Sequence, residues 1–139
     1  MQTITRRKPH DEDYRRLLEF RTGLRRFIRW SEELAVSAGL TPAQHQLLLC
    51  VRGHPHRDGP TISEAADYLL LAHNTVVELV DRAEEANLLK RLPDATDRRV
   101  VRLRLTRPGA QRLESLALAT MEELSRFFPQ ISRLWKDLK

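Results

Sequence analysis

The sequence has a single cysteine, Cys50, so no internal disulfide framework holds it together. It also lacks any long hydrophobic run. The longest, Leu47 to Val51 and Leu69 to Ala72, fall far short of the roughly 20 apolar residues that a bilayer span needs. The opening stretch, MQTITRRKPHDEDYRR, has no apolar centre of the kind a signal peptide requires, and a cytoplasmic location is expected. There is no internal repeat, no low-complexity segment and no glycine-rich phosphate loop. Nor is there a Ser-His-Asp order that suggests an acyl-transfer site, so the expectation is a protein that is not an enzyme and carries no cofactor. His54-Pro55-His56-Arg57-Asp58 superficially resembles a metal cluster. Two histidines and one aspartate are too few for a closed structural site, and Arg57 opposes a cation, so a polar loop is expected and no metal.

What is present is an ordinary globular composition. Of 139 residues, 41% are hydrophobic and 31% charged, enough for one domain with a real core. The formal net charge is +5. That favours a polyanion as partner, as nucleic-acid-binding domains do.

The most telling stretch is Leu88 to Thr106, LLKRLPDATDRRVVRLRLT. Two strand-like runs flank a polar tip, Pro93 to Arg99. In the second run, Val101-Arg102-Leu103-Arg104-Leu105, apolar and basic residues alternate with the period of a strand that has one buried and one wet face. Arg102 and Arg104 are expected on the wet face, with Lys90 and Arg91 on the partner strand.

Upstream, residues 11–38 carry Leu17, Phe20, Leu24, Phe27, Ile28, Leu34 and Ala35 in steps that make one helical stripe, with six arginines on the other face. Thr41-Pro42-Ala43-Gln44 has the form of a capping box opening a second helix, which buries Leu47, Leu48 and Val51. After the 54–60 loop, Ser63 is expected to cap a short helix, Glu64 to about Leu70. A turn, Leu71-Ala72-His73, leads into a helix from Asn74 to about Glu85, burying Val76, Leu79, Val80 and Ala83. Beyond the ribbon, Thr106 caps another helix; Pro129 is expected to break it before a short final helix marked by Ile131, Leu134 and Leu138. The fold class is therefore mainly α with a small β-wing. Helix, short helix, turn, helix and ribbon, in that order, make a winged helix-turn-helix. The long flanking helices have apolar stripes that a second copy would bury.

Three pieces, in order, resemble the MarR (multiple-antibiotic-resistance regulator) family of transcription factors. They are Leu40-Thr41-Pro42-Ala43-Gln44-His45, then Asn74 to Glu84, then Asp97-Arg98-Arg99 with Leu103 to Gly109. The resemblance covers about residues 15 to 125. It implies one domain over residues 1–139, with dimerisation helices at 11–38 and 107–139 around a DNA-binding lobe at 41–106. It also implies a homodimer that reads a pseudo-palindromic operator in double-stranded DNA, commonly as a repressor. Recognition helices would enter successive major grooves, and wings the adjoining minor grooves. Many members of the family release DNA on binding a small phenolic or anionic effector.

Residue by residue, Arg98 and Arg99 are expected at a minor groove, with Asp97 orienting one guanidinium through a bidentate pair. Asn74 and Thr75 are expected to touch bases or phosphate, although an N-cap role alone would explain Asn74. His73 beside them is placed to donate to phosphate. Val77 and Glu78 depart from the family's usual polar and basic residues. Val77 suits a thymine methyl. Glu78 either accepts from a cytosine amino group or pairs with Arg82 four residues on. Arg102 and Arg104 are placed for phosphate. Trp30 and His45 are weak candidates for an effector cleft, and Cys50 reads as a buried thiol rather than a redox sensor. The competing reading is a winged-helix protein-interaction module that binds no DNA; Glu78 favours it and the basic wing opposes it.

Overall fold

The computed structural model describes residues 7–136. Among them, five helices and one two-stranded sheet follow in the order α1 (Asp11–Ser37), α2 (Pro42–Gly53), α3 (Ile62–Leu69), α4 (His73–Glu85), β1 (Leu89–Pro93), β2 (Val101–Leu105) and α5 (Arg107–Leu134). No single helix among the described residues is long and apolar enough to cross a membrane. The final residue of the expected stripe, Leu138, lies outside the described residues.

The helix starts obey local chemistry. Thr41 accepts from the Gln44 N–H at 3.1 Å while Gln44 Oε1 accepts from the Thr41 N–H at 3.0 Å, closing the expected capping box of α2. α3 uses the same device two residues earlier than expected. Thr61, not Ser63, is its cap, reciprocally bonded with Glu64 at 3.1 and 2.9 Å. Thr106 caps α5 by accepting from the Gly109 N–H.

One core holds the lobe together. Leu47, Leu48 and Val51 of α2 meet Ala65 and Ala66 of α3, Val76, Val80 and Ala83 of α4, and Leu89 and Leu103 of the ribbon. Ala35 and Leu40 close it from the α1 side, Leu113 and Leu116 from α5. Leu47, Leu48, Val76 and Val80 leave no more than traces of surface exposed, so removal of any of them costs about 2–5 kcal/mol of buried surface and cavity.

The ribbon is antiparallel, with Leu89 opposite Leu105, Arg91 opposite Leu103 and Pro93 opposite Val101. The α2–α3 loop lies along its outer edge, where the Leu103 N–H donates to the Pro60 carbonyl at 2.8 Å. Gly59 makes this approach feasible. It sits at φ +91°, and a Cβ there would overlap the Leu103 carbonyl oxygen.

Two departures from expectation concern the long helices. Pro129 does not end α5, which continues to Leu134. A proline removes one backbone N–H, but packing on both sides of it holds the helix in register. Phe127 stacks on Phe27 of α1 at 5.2 Å, and Trp135 meets Phe20 edge-on at 5.9 Å. Gly23 lets α1 and α5 come this close, since a Cβ there would stand 2.8 Å from Ile131 Cδ1. Part of the α1 stripe is thereby covered within the chain. Tyr14, Leu17, Leu18, Ile28 and Val36 of α1, with Leu118, Met121 and Phe128 of α5, remain exposed.

Candidate nucleic-acid interface

The first turn of α4 carries three exposed polar residues. Ala72 is extended, and its carbonyl accepts from the Val76 N–H at 3.1 Å, so His73 is the first helical residue rather than part of the turn. Asn74 is therefore not the N-cap. Ala72 holds that place and has no side chain able to cap. His73, Asn74 and Thr75 are all exposed, and their side chains make no hydrogen bond among the described residues. The opening N–H groups of α4 are left for an external acceptor, which the helix dipole would favour as an anion.

Further along, Asn74, Glu78 and Arg82 form a row at four-residue steps on the side away from Val76, Val80 and Ala83. Glu78 and Arg82 are exposed and do not pair with each other, so the expected intrahelical ion pair is absent. Val77 is half-buried at the shoulder of the row. Asp81 and Glu84 turn aside toward Arg91 of β1. Arg91 donates to Asp81 at 2.7 Å and forms a close ion pair with Glu84.

At the wing tip, Asp97 grips Arg99 with both oxygens, at 3.1 Å to Nε and 3.3 Å to Nη2. The pair holds the Asp97 carboxyl below its usual range. The Arg99 side chain is 91% exposed, and Arg98 beside it is also exposed. The expected orienting pair is thus formed, with the guanidinium presented outward.

Beneath the tip lies a residue that sequence reasoning missed. Asp94 is buried, and its Oδ2 accepts from the Thr96 N–H, the Thr96 hydroxyl and the Asp97 N–H at 2.8–3.0 Å. Its Oδ1 accepts from Arg102 Nε at 2.5 Å. These donors, the Arg102 guanidinium first, hold the Asp94 carboxyl well below the carboxylate range. Arg102 also donates to the Gly59 carbonyl at 3.0 Å and to Glu64 at 3.3 Å. The placement of Arg102 at phosphate is therefore corrected: only 14% of its side chain is exposed, and it is spent on joining wing, loop and α3. Arg91 is corrected too. It lies opposite Leu103, on the face turned to α4, while the free basic pair of the ribbon is Lys90 opposite Arg104, both exposed. A Pro-Asp at a strand end hinted at an Asx turn, but nothing local revealed that Arg102 would reach it.

The two effector candidates part company. A groove of about 350 Å³ between α1 and α2 is lined by Phe27, Ile28, Ser31, Pro42, His45 and Gln46 among others. His45 is 4% exposed, its Nδ1 has no partner among the described residues, and burial pushes its pKa down. Trp30 does not line this groove; it stacks on Phe27 with ring centroids 6.0 Å apart. Burial raises the Cys50 thiol pKa, opposite to what a reactive thiolate needs. In the 54–58 loop, the His56 N–H donates to His54 Nδ1 and the Asp58 N–H to His56 Nδ1, at 3.1 and 3.0 Å.

An α3–turn–α4 pair followed by a two-stranded ribbon, with long helices on either side, defines a winged helix-turn-helix protein. Residues 38–100 match the sequence model of the MarR family. The match spans 63 of the chain's 139 residues. The chain is 27% identical over 106 residues to a putative transcriptional regulatory protein for the hcr operon of Thauera aromatica, covering 76% of this chain and 62% of that protein. The chain spans between 47% and 62% of the length of the three curated relatives it matches. Among solved structures, its fold is similar to that of AbsC, a MarR family transcriptional regulator from Streptomyces coelicolor, with TM-score 0.73, 20% identity and coverage of 96% and 94%. It is also similar to a mutant of Staphylococcus aureus MepR bound to an oligodeoxyribonucleotide, with TM-score 0.65, 24% identity and 81% of each chain covered.

Proposed function

We propose that this chain is a transcriptional regulator that binds double-stranded DNA as a homodimer on a pseudo-palindromic operator. The observation that carries the reading is the pair of unspent surfaces on one lobe. The first turn of α4 presents His73, Asn74 and Thr75 with no internal partners, and the wing presents Arg98 and a pre-oriented Arg99. The first suits base edges and phosphate in a major groove, the second the negative potential of a minor groove. Arg104 and Lys90 add backbone contacts along the ribbon. The MepR structure with bound oligodeoxyribonucleotide supports the same use of this fold.

The exposed apolar residues of α1 and α5 form the dimer seam in this reading, placing two lobes about one helical turn of DNA apart, roughly 34–36 Å. The protein works in the cytoplasm as a repressor and is not an enzyme. A small phenolic or anionic effector entering the α1–α2 groove, which His45 helps to line, shifts the lobe spacing toward a state that cannot bind. One observation favours a protein-interaction module instead: residues 62–85 carry Glu64, Asp67, Glu78, Asp81, Glu84 and Glu85 against Arg82 alone.

Selection of duplexes from a random pool by the full chain, with binding then measured across a salt series, tests the proposal. A pseudo-palindrome bound with steep salt dependence is the expected result. Recovery of no motif, or of a monomer in solution scattering, overturns it.

A further inference from the structure

We infer that Glu78 selects for cytosine in the major groove, reading one base pair of each half-site and rejecting the alternatives by repulsion. The inference rests on the DNA-reading role proposed for α4. Glu78 stands one helical turn beyond Asn74 on the outward row, exposed and without a partner, although Arg82 is a turn away. The other mid-helix carboxylates of α4, Asp81 and Glu84, are neutralised by Arg91, which leaves Glu78 as the free negative charge nearest the helix opening.

A bare carboxylate facing phosphates costs affinity for every sequence, unless a base edge repays it. A carboxylate only accepts. Guanine offers O6 and N7, and thymine O4, all acceptors that repel it. Adenine pairs its N6 donor with an N7 acceptor, which suits an amide better than a carboxylate. Cytosine alone offers the N4 donor without an adjoining acceptor of its own. Glu78 therefore gains most at cytosine, less at adenine, and is repelled by guanine and thymine, the form that specificity takes when built partly by exclusion.

The test uses random-pool selection by the full-length chain as wild type, Glu78→Gln and Glu78→Ala, with circular dichroism and melting to show that each variant is folded. The wild type should recover half-sites with one cytosine favoured about ten-fold or more. Glu78→Gln should move that single position to adenine and leave the others unchanged. Glu78→Ala should flatten it while binding unrelated duplex more tightly. An identical motif from all three proteins overturns the inference and leaves the DNA-binding reading standing. A wild type that recovers no motif removes both.

Discussion

Arg102 Nε and Asp94 Oδ1 meet at 2.5 Å under the wing, and this contact separates two arginines that look equivalent on one strand. Arg102 ties the tip to α3 through Glu64, whereas Arg104, two residues on, is exposed and pairs with no carboxylate among the described residues. Arg102→Ala leaves Asp94 buried without its cation and should lower Tm by about 5 °C or more. Arg104→Ala should leave Tm within about 1 °C and reduce the slope of log affinity against log salt by about 1. Melting curves and salt titrations of the two variants check both. Equal Tm values would contradict the assignment.

At the tip, Arg99→Ala should weaken DNA binding about ten-fold or more with Tm unchanged, because the side chain is 91% exposed and supports nothing beneath it. Asp97→Ala should weaken binding less, since it frees the guanidinium without removing it. Fluorescence anisotropy at physiological salt reads both effects.

Leu70, the C-cap of α3, is held in the left-handed region at φ 55°, and the residue is 90% exposed. A leucine there bears the steric cost of that conformation and recovers almost no burial. Leu70→Gly should therefore stabilise the protein by about 0.5–1 kcal/mol, visible as a higher denaturant midpoint at unchanged slope. A lower midpoint would mean that the side chain is covered in the assembled protein.

His45 adds a pH dependence with a definite sign. Burial lowers its folded pKa below that of the unfolded chain, so unfolding takes up a proton. Its contribution is fully present above the unfolded value of about 6.5 and is lost as pH falls through the folded value. Asp94 acts in the same direction at lower pH. Its depressed pKa favours folding above about 4, and that contribution fades as acid protonates the carboxylate. Denaturant midpoints between pH 7.5 and 5 should fall for the wild type and fall less for His45→Leu.

Much of this protein was legible without coordinates. The apolar steps of Val76, Val80 and Ala83, the Thr41–Gln44 capping box and the alternation around Leu103 are local patterns, and each element they imply is present. The Asp97–Arg99 pair was legible too, because residues two apart on a tight tip meet whatever surrounds them. The misreadings were of two kinds. Helix starts moved locally: α3 is capped by Thr61 rather than Ser63, and α4 starts from Ala72, which leaves Asn74 inside the helix and not at its cap. The others arose where the partner is far along the chain. Arg102 looked wet because its neighbours alternate, but Asp94 and Glu64 reach it from eight and 38 residues away.

Residue order alone determined which segments coil and which extend, apart from the run through Pro129, since helix and strand periods are properties of neighbouring residues. Only the tertiary structure decided which charges remain available to a partner. A charge is spent or free according to what folds against it: Arg91 and Arg102 are consumed by carboxylates brought from elsewhere in the chain, and Glu78, Arg98 and Arg104 are not.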